Sequence, residues 1–366
     1  MAEPDLSGNE ERYVVEAIRS TWISSTGPFV STFEREFAAA CGTTKAIAVS
    51  NGTVALHLAL LGLGIGPGDE VAVPSLTYVA TANAVRYVGA EPVFVDVDPG
   101  TWCLDPGDLA QRISPRTRAV IVVHLYGHPA DMDAIEEITR PAGIRVIEDS
   151  AEAFGATYRG RPTGSLGDCA TFSFYGNKVI TSGEGGAITT SDPELERRMR
   201  LLRGQGMDPD RRYFFPVVGY NYRLTNVACA ILCGQLEHAD AMLNARRAVA
   251  RTYADELTGV DGLGMQPVAP WATPTPWLFS VTVDDKRFGA SRDHVMRYLA
   301  DQGVETRPFF IPVHTLPPYQ DDARRRRTNL PITDRLAACG LNLPTHSRLP
   351  LETVRQIAET VRTMPR

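Results

Sequence analysis

Short apolar runs rich in valine and isoleucine recur along the first half of the chain, at 46–49, 70–73, 92–95, 119–123 and 145–147. They are apolar throughout rather than alternating, which marks strands buried on both faces. Helical spacing of apolar residues lies between several of them, notably at 54–63, 78–88 and 132–139. Strands alternating with helices predict an α/β fold around a largely parallel sheet with helical cover. Runs at 170–174 and 186–190 add two further strands on either side of Lys178. A long helical pattern follows at 226–257, read as two helices or one bent one. After it come a proline-rich passage at 267–276, a strand at 277–283 and helical patterns at 292–302 and 351–364. The pattern predicts a large domain over 1–245, including an N-terminal segment 1–25, and a smaller C-terminal α+β domain over 246–366. Internal repeats and low-complexity segments are absent.

Composition narrows the function classes. A net charge of −6 and a pI near 5.7 speak against nucleic acid or an anionic membrane as partner. The N-terminus lacks a basic region followed by an apolar one, and no apolar run reaches the roughly 18 residues of a spanning helix. A soluble, cytoplasmic protein is expected. Six cysteines are scattered without a CxxC or zinc spacing, so reduced thiols and no metal are expected. Arg324 to Arg327 form a basic run after Asp321 and Asp322. It reads as a solvated loop or, more sharply, as a clamp for a diphosphate-bearing substrate.

The chain has 34 arginines but only three lysines, Lys45, Lys178 and Lys286. Lys178 sits in CATFSFYGNKVITSGEGG, a glycine- and serine-rich turn after an apolar run. A lysine retained there suggests need of a deprotonatable amine, which guanidinium cannot supply. Schiff-base chemistry with a carbonyl cofactor is the commonest such need, and a solvated loop lysine is the plain alternative.

Ligand sites of parallel sheets form outside the C-terminal strand ends, and four features fall there. Ser50-Asn51-Gly52-Thr53 follows a strand and opens a helix whose free N–H groups can bind a phosphate, or it is only a cap. Asp149 and Glu152 follow the strand at 145–147; Asp149 is an N-cap or a partner that keeps a pyridine nitrogen protonated. Ser173, five residues before Lys178, has a hydroxyl placed to reach the same phosphate. Tyr78 lies just past another strand end, as core or as a platform for a flat cofactor ring. Walker A, GxGxxG and GxSxG patterns are missing.

The stretches TWISSTGPFV (21–30), NGTVALHLAL (51–60), GIGPGDEVAVPSLTYVATAN (64–83), VIEDSAEAFGATYRG (146–160), GSLGDCATFSFYGNKVITSGEGG (164–186) and LRGQGMDPDRRYFFPVVGYNYRLTN (202–226) carry a family likeness. They resemble the DegT/DnrJ/EryC1/StrS sugar aminotransferases, pyridoxal 5'-phosphate (PLP) enzymes of the aspartate-aminotransferase fold, fold type I. The likeness covers nearly the whole chain, and within the family it points to the GDP-perosamine synthase branch. It implies a large domain with a mostly parallel mixed sheet and a smaller C-terminal α+β domain.

Position by position, the resemblance makes Lys178 the Schiff-base lysine and Asp149 the partner of the pyridine nitrogen. Gly52, Thr53 and Ser173 would hold the phosphate, with Tyr78 against the ring. Glu152 stands where many relatives carry glutamine near the cofactor's phenolic oxygen. Asn221 corresponds to an asparagine that reaches the phosphate in the neighbouring subunit, which implies a homodimer with shared sites. Arg223 is a candidate for an acidic group of the amino donor, and His314 and Tyr319 fall where relatives place substrate-facing groups. The implied activity converts a keto sugar, such as a nucleotide-linked 4-keto-6-deoxyhexose, to an amino sugar with L-glutamate as donor. Amination at C3, and a nucleoside or antibiotic glycoside as substrate, stay open. Related sugar 3-dehydratases carry histidine in place of the lysine, so Lys178 speaks against that chemistry. A PLP-binding regulatory protein without turnover is the rival from another class.

Overall fold

A computed structural model of the chain describes residues 2–365. Seven strands form the large sheet: β1 (Lys45–Val49), β2 (Glu70–Pro74), β3 (Glu91–Val95), β4 (Thr117–Val123), β5 (Arg145–Asp149), β6 (Cys169–Ser173) and β7 (Gly186–Thr190). Their order is β1-β7-β6-β5-β4-β2-β3. The β3-β2, β2-β4, β4-β5 and β5-β6 pairs are parallel, and β7 runs antiparallel to both β6 and β1. The continuous apolar runs are buried on both faces, as such runs require. Helix Gly52–Gly62 is buried from Ala55 to Leu60 and packs against β6 and β7, so it is apolar around most of its girth.

The pattern at 226–257 is one 32-residue helix, Asn226–Leu257, started by Thr225, whose hydroxyl accepts from Ala228 N at 3.2 Å. Gly234 does not break it, because the glycine is spent on packing. A Cβ there would stand 2.8 Å from Glu10 N, so its absence lets helix Glu10–Arg19 approach. The helix bridges two cores. Cys229, Leu232 and Leu243 join the core beneath the large sheet. Val249, Tyr253 and Leu257 join a second core with β9 (Phe279–Val283) and helix Leu351–Arg362. The second sheet is antiparallel, ordered β8 (Leu263–Met265), β9, β11 (Gly340–Leu343) and β10 (Arg307–Pro308). Residues between these last strands return to the large unit: Val313, Tyr319 and Leu330 are buried with Phe94 and Val73.

Two elements are shorter than their patterns. The helix expected at 78–88 is Ala80–Tyr87, and the strand expected at 277–283 begins at Phe279, which frees Trp277 from the ladder. The basic run is engaged rather than open. Arg324 and Arg325 end helix Gln320–Arg325, Arg325 pairs with Asp322, and Arg326 pairs with Glu70 at 2.7 Å and Glu91 at 3.0 Å. A diphosphate clamp there would first have to displace these carboxylates. No helix among the described residues is long and apolar enough to cross a membrane.

Candidate active site

A cavity of about 760 Å³ opens outside the C-terminal ends of β4, β5 and β6, beside the start of helix Gly52–Gly62. Parallel sheets collect ligands there because the strands end together and the following loops and helix N-termini converge. The wall unites Gly52, Thr53, Tyr78, Asp149, Glu152, Ser173 and Lys178, drawn from four separate segments of the chain.

Alternation along β5 divides the work of two adjacent acids. Glu148 is fully buried and accepts from the backbone N–H groups of Gly164, Leu166 and Gly167 at 2.7–2.9 Å. It also meets His124 Nε2 at 3.0 Å. This acid therefore ties the loop before β6 to the strand end. Asp149 points the other way, into the cavity, where Thr81 Oγ1 donates to its Oδ2 at 2.8 Å and Ala151 N to its Oδ1 at 3.3 Å. Burial raises its pKa, and the hydrogen bonds and Lys178 only partly offset that. A bound cation at Asp149 would restore the full carboxylate charge.

Lys178 lies with its Nζ 3.9 Å from the centre of the Trp277 ring. Trp277 Nε1 donates to the carbonyl of Asn177 at 2.8 Å, so the indole grips the turn that carries the lysine. Burial holds the amine below its ordinary pKa, against the attraction of Glu152 and Asp149. A lowered pKa enlarges the share of neutral amine, the form that attacks a carbonyl.

Glu152 accepts from Tyr126 N at 2.7 Å. That N–H is presented by an unusual turn, with Tyr126 at φ 53° and Gly127 at φ 92°. Only glycine fits at 127, since a Cβ would overlap the carbonyl oxygen of Thr275 at 1.6 Å. Burial pushes the Glu152 carboxyl up to about 7.

The phosphate cradle is equally local in cause. Asn51 Oδ1 caps its helix by accepting from Val54 N at 3.0 Å, which leaves the first-turn N–H groups of Gly52 and Thr53 without intrahelical partners. Ser173 closes on this turn so tightly that a Cβ on Gly52 would stand 2.8 Å from its Cβ. Tyr78 remains 60 % exposed at the rim, its ring 6.1 Å from that of Phe310.

Four expected residues lie off this wall. Asn221 is exposed, bridged to Gly204. Arg223 Nε donates to Ser25 Oγ at 3.0 Å. His314 is buried, its N–H donating to Ser75 Oγ at 3.0 Å and its Nδ1 2.8 Å from the same hydroxyl. Tyr319 is 2 % exposed and its hydroxyl donates to Asn83 Oδ1. Conversely, sequence reasoning did not single out Thr81, Trp277, Arg307 or Phe310, all on the wall. Thr81 stands in the same PSLTYVATAN stretch as Tyr78, one helical turn on, and that spacing was its only local signal.

The donor set fits PLP: an amine, a buried carboxylate for a ring nitrogen, and a helix start with an adjacent hydroxyl for a phosphate. The model of the DegT/DnrJ/EryC1/StrS aminotransferase family matches residues 4–362. GDP-perosamine synthase of Caulobacter vibrioides is 53% identical over 95% of this chain and 93% of its own length. DesV of S. venezuelae, solved with a ketimine intermediate, superposes with a TM-score of 0.91 at 39% identity, over 97% of this chain and 93% of its own. A Streptococcus pneumoniae protein solved in a PLP form superposes at 0.91 and 28% identity, over 99% of this chain and 97% of its own. With that match running almost end to end and the Lys178–Asp149 pair in one cavity, the chain belongs to the DegT/DnrJ/EryC1/StrS aminotransferase family.

Proposed function

We propose that this protein, in the cytoplasm, transfers the amino group of L-glutamate to the ketone of a nucleotide-linked 4-keto-6-deoxyhexose, releasing 2-oxoglutarate and an amino sugar. The observation that carries the reading is the convergence of seven candidate residues from four segments on one cavity around Lys178. Likeness to a GDP-perosamine synthase supports GDP as the carrier and C4 as the aminated carbon.

When bound, PLP supplies an electron sink that makes the donor's Cα–H bond acidic. Gly52, Thr53 and Ser173 would hold its phosphate, Tyr78 would lie against the ring, and Asp149 would keep a proton on the pyridine nitrogen. Lys178 Nζ, its proton affinity lowered by burial, takes the Cα proton of the donor and in the second half gives a proton to the sugar carbon being aminated. Glu152, itself buried, holds or releases a proton on the same cavity wall as that amine. Asn221 completes the phosphate site of a neighbouring copy, so the active unit is a two-fold homodimer. Exposed apolar residues support this: close to it in sequence Val218 is 90% and Phe215 51% exposed, and Trp22, whose carbonyl accepts from the Asn226 side-chain amide, is 53% exposed. The chain divides near residue 245, with 1–245 binding the cofactor and 246–366 closing the cavity.

A glutamate-dependent assay over GDP-, dTDP- and UDP-linked keto sugars tests the reading, with the position of the new amine fixed by NMR. Turnover of the GDP-linked 4-keto-6-deoxyhexose is the expected result. Failure with every sugar, while the protein still consumes glutamate in a half-reaction, would remove the substrate class.

A further inference from the structure

We propose that Arg307 is the carboxylate-binding group of this site: its guanidinium receives the α-carboxylate of the amino donor while the donor nitrogen lies beside Lys178. The inference rests on the glutamate-donor reading and assigns that donor its place.

The charged residues of the wall are Asp149, Glu152, Glu184, Lys178 and Arg307. An anionic amino acid entering this cavity needs a cation besides the reacting amine, and Arg307 is the guanidinium there. It comes from β10 of the second sheet, opposite Asn342 of β11, so it approaches from across the cavity rather than from the Lys178 turn. It is near enough to Lys178 to disfavour the ammonium charge. Its own pairing is weak: Glu305 lies 3.7 Å away with 62% of its side chain exposed, against 43% for Arg307. The wall's buried acids are partly occupied, Asp149 by Thr81 and Ala151, Glu152 by Tyr126 N.

The other arginines considered for an acidic ligand are engaged elsewhere. Arg223 donates to Ser25, and Arg325 and Arg326 face Asp322, Glu70 and Glu91. Position also selects the carboxylate. In an α-amino acid the carboxylate and the amine share one carbon, so a cation on the same cavity wall as Lys178 can take the carboxylate while the amine lies at Nζ. A sugar's diphosphate is separated from its C4 by most of the ring, so it extends away from the amine that meets the ketone.

The test uses the PLP-loaded full chain and follows decay of its visible absorbance on adding L-glutamate, with no sugar present. Arg307→Gln should lower the second-order rate of this half-reaction by about 10- to 150-fold, the range of a charge-assisted hydrogen bond. Arg307→Lys should recover part of that, and both variants should keep the wild-type cofactor spectrum. The kcat/KM for the GDP-linked 4-keto-6-deoxyhexose should stay within about twofold, since it does not contain the donor half-reaction. An unchanged glutamate half-reaction in Arg307→Gln overturns the inference, as does a loss confined to kcat/KM for the sugar, which would place Arg307 on the diphosphate. If glutamate fails to bleach even the wild type, the donor reading itself falls, and that outcome is visible before any variant is made.

Discussion

The amine of Lys178 and the ring of Trp277 are 99 residues apart in the chain, yet Nζ stands 3.9 Å from the indole centre. Burial lowers the amine's proton affinity, while the ring's negative face favours the ammonium form. The two effects oppose one another, and the same indole holds the lysine turn through Asn177.

Replacing Trp277 by leucine should therefore remove about 0.5–2 kcal/mol of ammonium stabilisation and shift the amine's titration to lower pH. Trp277→Phe should restore most of the electrostatic effect but not the bond to Asn177. The pH dependence of Lys178 acylation in the cofactor-free protein measures both. A Trp277→Leu profile identical to wild type would show that the ring is only a wall.

Lys178→Arg should leave the fold intact and cut glutamate turnover by about 10²- to 10⁴-fold or more, because guanidinium can neither attack a carbonyl nor move the Cα proton near neutral pH. Turnover close to wild type would end the assignment of Lys178.

Thr81→Val keeps the shape of the side chain and removes the donor to Asp149. A buried hydrogen bond to a charged group contributes about 1.5–3 kcal/mol, so kcat should fall by roughly 10- to 150-fold. The Asp149 pKa, already raised by burial, should rise further and carry the acid limb of the rate profile to higher pH. Thr81→Ser should rescue both. Asp149→Asn should bind PLP and turn over far more slowly, and undiminished kcat there would reduce Asp149 to a helix cap.

Glu152 titrates near 7 when folded, against 4.5 for a free glutamate. Its pKa is raised, so the folded state holds the extra proton. The associated stability is present below pH 4.5 and is lost as pH rises through about 7. For this group alone the loss is on the order of 3 kcal/mol. Urea unfolding of the cofactor-free protein at pH 5 and pH 8 measures the difference, and Glu152→Gln should flatten it. A variant with the same slope as wild type would place that pH dependence elsewhere.

The proposed dimer is tested by sedimentation of the holoenzyme at assay concentration, where a two-fold dimer is expected, with an interface on the order of 2,000 Å² or more. PLP should strengthen it, since two chains would hold each phosphate. Val218→Asp, at a 90% exposed apolar position, should weaken the dimer and loosen the cofactor together. A fully active monomer would remove Asn221 from the site.

Some of this protein is written locally. Valine- and isoleucine-rich runs between helical patterns dictate strands buried on both faces, hence a mostly parallel sheet, and therefore a site at its C-terminal edge. The places of Gly52, Asp149 and Ser173 were legible because each stands at a strand end or helix start, where backbone geometry largely decides what a side chain can reach, and Lys178 stood out as one of three lysines against 34 arginines. Period-two alternation requires Glu148 and Asp149 to face opposite ways, but which of them meets the cavity depends on the loop 164–167, which wraps Glu148. Helix Pro28–Ala40 has no capping side chain of its own, and Asn226, almost 200 residues on, accepts from Phe29 N and Val30 N instead. Trp277 and Arg307 reach the cavity, while His314 and Tyr319 turn inward to Ser75 and Asn83, only because the segment after the long helix folds back on the large unit. Local patterns specify which backbone each segment adopts. Which distant side chains then share a cavity is decided by packing the whole chain at crystal-like density, where every volume must be filled by some partner and sequence spacing no longer tells which.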